Sequence, residues 1–294
     1  VPLLFENFHR KLQEGIRKQG KERSVRIAIR LARLLRRLGI DVRPRLFAPL
    51  LEAFGGAWNA GICGAAPIEP AVLQFFDDIG VRIYQGYGLT ETSPVVAGCN
   101  ARVFVPGTVG HPIGGATLAV DAERPGDPGE ILVREPMVMK GYYQDEAATA
   151  EAFRDGWFHT GDIGQVDRRG HLRITGRLKS MIVLRNGKKV FPEEIEHLVG
   201  QSPMIRETLV WGNEVPDGEV EVCARFVLDM EEVRRSHGDG IDEPALRTLL
   251  DRVVAEANRH LPQFKTIRYY VFGFTDMIKT TTLKIKRPVE IDRI

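Results

Sequence analysis

The chain reads as an α/β protein in three parts: an incomplete α/β sheet at its N-terminal side, a β-rich subdomain, and a small α+β domain at its C-terminal side. Three observations predict this. Strand, helix and strand follow one another over residues 58–85. Between residues 108 and 175 the apolar runs shorten and are separated by Gly, Pro and Asp clusters. After Gly176 strands and helices mix again, in a stretch long enough for a second core. The predicted division is 1–176, with the α/β part to about 105 and the β-rich part over 106–176, then a hinge at 177–180 and a domain over 181–294.

A helix is predicted over 2–16 and another over 24–38, ended by Gly39. On the second, Ile27, Leu31, Leu34 and Leu38 recur at helical spacing, and Arg23, Arg26, Arg30, Arg33 and Arg37 form a neighbouring stripe. The expectation is that the apolar stripe packs and the basic one does not. Apolar runs at 58–63 and 81–85 lead into Gly64-Ala65-Ala66 and Gly86-Tyr87-Gly88, with a helix over 70–79 between them. Strands at 130–134 and 171–174 belong to the β-rich part. In the last part come a strand at 181–184, a turn at Asn186-Gly187, and a helix opened by Pro192 with Glu193, Glu194 and Glu196 in its first turns. Val220, Val222, Ala224, Phe226 and Leu228 then alternate as a strand, and Asp242 caps a helix whose apolar face is Leu246, Leu249, Leu250, Val253 and Ala257.

With 294 residues, 43% hydrophobic and 27% charged, the composition is that of an ordinary globular protein. A formal net charge of +2 gives no sign of wholesale nucleic-acid binding, and no apolar run is long enough to span a membrane. Cys63, Cys99 and Cys223 are odd in number and widely spaced, which fits a reducing cytoplasm better than a disulfide framework or structural zinc. No signal-peptide pattern follows Val1, so the start reads as a cut inside a longer protein.

Gly86-Tyr87-Gly88-Leu89-Thr90-Glu91-Thr92 follows a strand, and ligands of α/β sheets bind beyond the carboxyl ends of strands. Glycines let backbone approach a ligand, a tyrosine ring can stack on a purine, a threonine hydroxyl can bond phosphate and a carboxylate can hold magnesium. Taken alone, a tight turn with a helix cap explains this segment about as well. Gly156-Trp157-Phe158-His159-Thr160-Gly161-Asp162 adds a second glycine-rich turn ending in a carboxylate suited to ribose hydroxyls. Gly176-Arg177-Leu178-Lys179 then offers an arginine for ribose or phosphate and a lysine at the predicted pivot. The seven histidines show no metal-ligand spacing, and His159, beside the second turn, is the one to watch.

Taken in order, segments 87–94, 129–143, 156–162, 176–196 and 280–287 resemble the core motifs of the adenylate-forming superfamily, and the stretches 186–196 and 46–67 look most like the long-chain fatty acyl-CoA synthetases. The resemblance implies ATP/AMP, Mg2+ and coenzyme A as cofactors and substrates, and a carboxylic acid as the group activated. It places AMP on Gly86, Tyr87 and Gly88, phosphate on Thr90, Mg2+ on Glu91, adenine against Gly64, Ala65 and Ala66, and ribose on Asp162 and Arg177. Lys179 falls at the hinge of a mobile C-terminal domain, Gly187 on the loop lining the pantetheine passage, and Lys284 at the lysine that stabilises the adenylation transition state. Cys63 stands where serine is common, and Leu283 where glycine is. The Ser/Thr/Gly-rich phosphate loop that precedes these motifs in the family is not in this sequence, so the chain is expected to be inactive alone.

Other readings stay open. Lys284 by itself is a surface lysine, Glu91 a helix-start carboxylate, and the arginine stripe a solvated face or a contact with anionic lipid or the phosphates of CoA. An adenylation domain serving a carrier protein and a noncatalytic lipid-binding remnant are the alternative functions. Nucleic acid is not an expected partner.

Overall fold

Short-range signals set several element boundaries. The computed structural model describes residues 2–52, 54–134, 136–281 and 284–294, and the chain forms two compact units, Val1–Ile174 and Thr175–Ile294. Its mixed α/β architecture, with several sheets, bears out the predicted class. No helix among the described residues is long and apolar enough to cross a membrane.

The first unit opens with helices α1 (Pro2–Lys18), α2 (Glu22–Arg37), α3 (Arg43–Leu46) and α4 (Ala48–Glu52), then β1 (Gly61–Cys63), α5 (Pro70–Ile79) and β2 (Ile83–Tyr87). Pro70 starts α5, where its missing N–H costs nothing, and left-handed Gly80 ends it, returning its N–H to Phe76 and Asp77 carbonyls. Strands β1 and β2 are parallel, with Cys63 opposite Gln85, and β3 (Ala97–Gly98) and β4 (His111–Pro112) extend the sheet antiparallel. Leu73, Phe76 and Ile79 of α5 bury against Phe5, Phe47 and Ile83. Phe76 meets Phe5 and Phe54 edge-on, at ring separations of 6.2 and 5.9 Å, the geometry aromatic quadrupoles favour.

One expectation for α2 is overturned. Ile27, Leu31, Leu34 and Leu38 do not pack; the inner face is Val25, Ala28, Ile29 and fully buried Ala32. Arg33 and Arg36, which lie toward that face, reach Asp78 and Asp77 of α5, at 2.5 and 2.6 Å. The two pairs fasten the helix with its smaller residues facing the core. Buried Arg43 also bonds the Asp77 carbonyl at 2.6 Å and Asp41 at 2.7 Å. The Arg43 bonds to Asp41, burial notwithstanding, hold its carboxyl down to about 2.

The β-rich sheet contains β5 (Thr117–Asp121), β6 (Gly129–Arg134), β7 (Phe153–Arg154) and β8 (Trp157–Val166) in the order β5-β6-β8-β7, and β9 (Leu172–Arg177) pairs with β8. Helix α6 (Glu146–Ala152) is capped by Asp145, whose Oδ1 accepts from Ala148 N–H at 2.9 Å. Ile131, Val133, Phe158 and Leu172 share a core with Tyr87, Val96 and Ala97, so the two sheets of this unit hold each other.

The second unit begins with the hairpin β10 (Ile182–Val183) and β11 (Lys189–Val190), followed by α7 (Pro192–Val199), β12 (Ile205–Glu214), β13 (Val220–Leu228), α8 (Met230–His237), α9 (Glu243–Arg259), β14 (Tyr269–Gly273) and α10 (Arg287–Ile291). Strand β13 is central, antiparallel to β12 and parallel to β14. Its Val222, Ala224, Phe226 and Leu228 pack with Ile195, Leu246, Leu250 and Val254, as the alternation and the Asp242-capped helix predict, while Cys223 and Val227 pack on the other face with Leu209 and Met277. All three cysteines are free, and burial, aided by Glu221, pushes the Cys223 thiol up to about 11.

Candidate active site

In the first unit the predicted nucleotide segments converge at the ends of β1 and β2. Gly64 lies so close to β2 that a Cβ there would stand 3.0 Å from the Gly86 carbonyl. Ala65 follows in the left-handed region at φ 69°, a conformation disfavoured for alanine, and Ala65 and Ala66 are exposed. Strain at a strand end facing solvent is common where a ligand approaches backbone. Gln85, one residue before the turn, has its Oε1 buried with no hydrogen-bond partner among the described residues.

After Tyr87 the chain doubles back on itself. Val96 N–H donates to the Tyr87 carbonyl at 2.8 Å, and Thr92 Oγ1 accepts from Leu89 N–H at 3.0 Å. Thr92 is buried by this closure, whereas Thr90 is left exposed. Glu91 is fixed at two points: its carbonyl accepts from Met139 N–H at 2.7 Å, and its Oε1 accepts from Tyr142 OH at 3.1 Å. Burial, and then Glu91 itself, push the Tyr142 phenol above its ordinary value, so it stays a donor.

Asp162 arrives from β8 through an irregularity. The β6/β8 register slips between Glu130 and Leu132, and Gly161 turns left-handed at φ 68°. The slip is pinned by Gly161 N–H donating to Glu130 Oε1 at 3.0 Å and Thr160 Oγ1 donating to the Ile131 carbonyl at 2.7 Å. His159 Nδ1 lies 2.8 Å from Glu130 Oε2, so this histidine orients the carboxylate that holds the turn. Asp162, buried, then accepts from Tyr87 OH at 2.9 Å. That bond joins the two glycine-rich turns, 75 residues apart in sequence. Tyr87 is 9% exposed, so its ring is mostly core and its hydroxyl serves to place Asp162.

Glu91 is a lone fixed carboxylate; no group of three or more His, Cys, Asp or Glu that could close on a metal occurs among the described residues. Such a donor set suits an ion held chiefly by phosphate oxygens and water, as Mg2+ usually is.

Four predicted residues belong to the second unit. Arg177 ends β9, and Lys179 sits exposed in a short 3-10 turn, Leu178–Ser180. That turn is braced by Ser180 Oγ donating to Glu193 at 2.6 Å and by Gly176, where a Cβ would come within 2.8 Å of Glu193 Oε2. Gly187 forms the β10–β11 turn at φ 76°, which demands glycine on conformation; nothing lies within 4 Å of where its Cβ would be. Lys284 is exposed, and its N–H donates to Thr280 Oγ1 at 3.2 Å while Thr280 N–H returns to the Lys284 carbonyl at 2.8 Å. Thr282 and Leu283, the latter a departure from the family pattern, lie outside the described residues. The base of this loop is held by wholly buried Glu290, which accepts from Ile278 N–H at 2.9 Å and from Arg225 at 2.7 Å. Burial alone would raise the Glu290 carboxyl, but these donors and Arg293 hold it below its ordinary value.

Tyr142, Glu130 and Glu290 are supporting residues that the sequence did not single out. Tyr142 and Glu130 do lie within segment 129–143, which the resemblance includes without giving either a role.

This arrangement of strand-end turns and a separate lysine-bearing unit is matched by known proteins. A model of the AMP-binding enzyme family matches residues 2–143, and one of the AMP-binding enzyme C-terminal domain matches residues 179–286. The chain belongs to the AMP-binding enzyme family. Along its whole length it is 34% identical to the long-chain-fatty-acid–CoA ligase FadD15 of Mycobacterium bovis, of which it covers 52%. It is 40% identical, over 54% of its length and 24% of the relative's, to the long-chain-fatty-acid–[acyl-carrier-protein] ligase AEE15 of Arabidopsis thaliana. Its fold matches that of the o-succinylbenzoate CoA synthetase of Bacillus subtilis, solved with the acyl-adenylate OSB-AMP, at a TM-score of 0.67 and 22% identity, over 83% of this chain and 49% of that one. The chain thus spans about half the length of the FadD15 relative it matches end to end.

Proposed function

We propose that the chain carries the AMP-site wall, the hinge and the mobile lysine domain of an ATP-dependent carboxylate–CoA ligase, with a fatty acid as the acid. The observation that carries the reading is the Tyr87–Asp162 hydrogen bond, which sets a buried carboxylate beside two glycine-lined strand ends. In this reading Gly64, Ala65 and Ala66 face adenine, Gly86 to Gly88 admit the nucleotide, Thr90 bonds phosphate, and Asp162 with Arg177 takes the ribose hydroxyls. Bound magnesium would neutralise departing pyrophosphate, with Glu91 as its protein carboxylate. Carboxylate attack on the α-phosphate brings two anions together, and Lys284 supplies the cation that lowers that repulsion. Residues 177–180 pivot between 1–176 and 181–294, and Gly187 then borders the passage for the thiol.

The fatty-acid assignment is supported by the match along the whole of this chain to FadD15, a long-chain-fatty-acid–CoA ligase. A carrier-bound pantetheine is the second acceptor, favoured by the 40% identity to AEE15. The test uses the full-length gene product with ATP and a series of fatty acids, offered CoA or carrier protein. Thioester formed on CoA and AMP released is the expected result; thioester on the carrier alone moves the assignment to the second acceptor, and no acid-dependent pyrophosphate release rejects both.

Tyr142 offers a finer check. Tyr142→Phe removes one solvent-exposed hydrogen bond to Glu91 and nothing from the core. The half-saturating Mg2+ concentration for ATP–pyrophosphate exchange should rise about threefold to tenfold, the worth of such a bond. Calorimetric binding of Mg-ATP should weaken in parallel, with thermal stability unchanged; an unaltered Mg2+ requirement would remove Tyr142 from the site.

A further inference from the structure

The loop that carries Lys284 is pegged on both limbs to one strand. Lys279 and Ile285 pair antiparallel across it, and Lys286 N–H closes its base on the Ile278 carbonyl at 2.8 Å. On the limb leading in, Glu207 of β12, its side chain mostly buried, accepts from Met277 N–H at 2.9 Å and from the Lys279 ammonium. On the limb leading out, Arg287 donates to the Val210 carbonyl of β12 at 2.6 Å and to Glu196 of α7 at 2.8 Å. Glu196 in turn accepts from Val210 N–H at 2.7 Å. Strand β12 lies at one edge of its sheet, and at Val210 this ion pair bonds the peptide much as a neighbouring strand would.

Lys284 itself takes no part in either peg. Its side chain is exposed and a lysine stem is flexible, so an ammonium there acts on a transition state only as well as its backbone is placed. Arg287, three residues further on, sets that backbone through a fork that engages a carboxylate and a carbonyl together. Burial pushes the Glu196 carboxyl above its ordinary value, and Arg287 is the cation opposing that push. Glu290, which holds the Ile278 N–H, is wholly buried and so serves the fold as well as the loop.

We propose that Arg287 and Glu207 are positioning residues for adenylation, holding the two limbs of the loop on β12 so that Lys284 is presented at a fixed reach. The inference rests on the role given to Lys284 above.

The experiment is a double-variant cycle in the full-length enzyme, reading acid-dependent pyrophosphate release and, separately, thioester formation from supplied acyl-adenylate and CoA. Arg287→Lys keeps a cation beside Glu196 but loses the fork. It should lower kcat for pyrophosphate release about tenfold, with KM for ATP and acid unchanged and thioester formation spared. In the Lys284→Ala background the same change should cost less than about twofold, because no ammonium is left to place. Glu207→Gln, whose amide oxygen can still accept from Met277 N–H, should lower kcat about threefold, again only while Lys284 is present. If near-ultraviolet circular dichroism shows Arg287→Lys unfolded, Glu207→Gln decides alone. Unchanged kcat in the folded single variants, or losses that multiply with that of Lys284→Ala, overturn the proposal while leaving Lys284 its role. Normal pyrophosphate release by Lys284→Ala itself rejects that role, and the positioning proposal with it.

Discussion

Lys284→Ala in the full-length enzyme should slow acyl-adenylate formation by about 10²–10³-fold, the usual effect of removing one charge aimed at a developing anion. Two features make the variant clean. Lys284 is exposed, so its loss leaves no buried partner unpaired. Its loop is also shaped by backbone: Thr280 N–H on the Lys284 carbonyl at 2.8 Å and Lys286 N–H on the Ile278 carbonyl at 2.8 Å, neither of which involves the ammonium. The defect should therefore appear in pyrophosphate release from acid and ATP. Thioester formation from supplied acyl-adenylate and CoA should be largely spared, because that half-reaction needs no cation between carboxylate and α-phosphate. Equal loss in both half-reactions would mean that the substitution damages the unit, and normal pyrophosphate release would remove Lys284 from the chemistry.

How much of this was legible in sequence depends on the range of the interaction concerned. Helix α5 was legible because Pro70 and Gly80 mark its ends, and α9 because Asp242 caps it with a bond to Ala245 N–H at 3.0 Å. Strand β13 shows as alternation, yet its neighbour β12 does not: Leu209, Val210 and Trp211 are buried in succession because both faces of that strand are covered. For α2 the sequence offers two apolar arcs, and the larger residues favour the wrong one. The inward arc packs on residues more than 40 positions onward, beside bonds from Arg33 and Arg36 to Asp78 and Asp77, and no local pattern records that contact.

The site divides in the same way. Gly64, Gly86, Gly88 and Asp162 stand in short motifs whose residue types already suggest a nucleotide. Their support does not: Tyr142 reaches Glu91 across 51 residues and Glu130 reaches Gly161 across 31. No local pattern records a bond of that span: the second exists only once β6 and β8 have paired, and the first only once the segment after β6 lies against the turn after β2.

Gly88 is where fold and site are least separable, and Gly88→Ala should cost about 3 kcal/mol or more of stability. An alanine Cβ there would sit 1.7 Å from the Pro94 carbonyl oxygen, 2.6 Å from its carbon and 2.8 Å from Val95 Cα. All three are backbone atoms, so no side-chain rotation relieves the overlap. The loop cannot retreat freely either, since Val96 N–H is bonded to the Tyr87 carbonyl and Thr92 Oγ1 to Leu89. Gly86→Ala is the informative contrast, because its Cβ would meet nothing nearer than the Ala97 carbonyl at 3.7 Å, and alanine suits a strand better than glycine. In urea denaturation Gly86→Ala should stay within about 1 kcal/mol of wild type while Gly88→Ala shifts the midpoint strongly. If nucleotide approaches the backbone at Gly86 as proposed, Gly86→Ala should weaken AMP binding in the full-length enzyme without that loss of stability. Closure of the loop and admission of the ligand are then separable demands on two glycines two residues apart: one excludes a side chain because backbone already fills its space, the other because a nucleotide must.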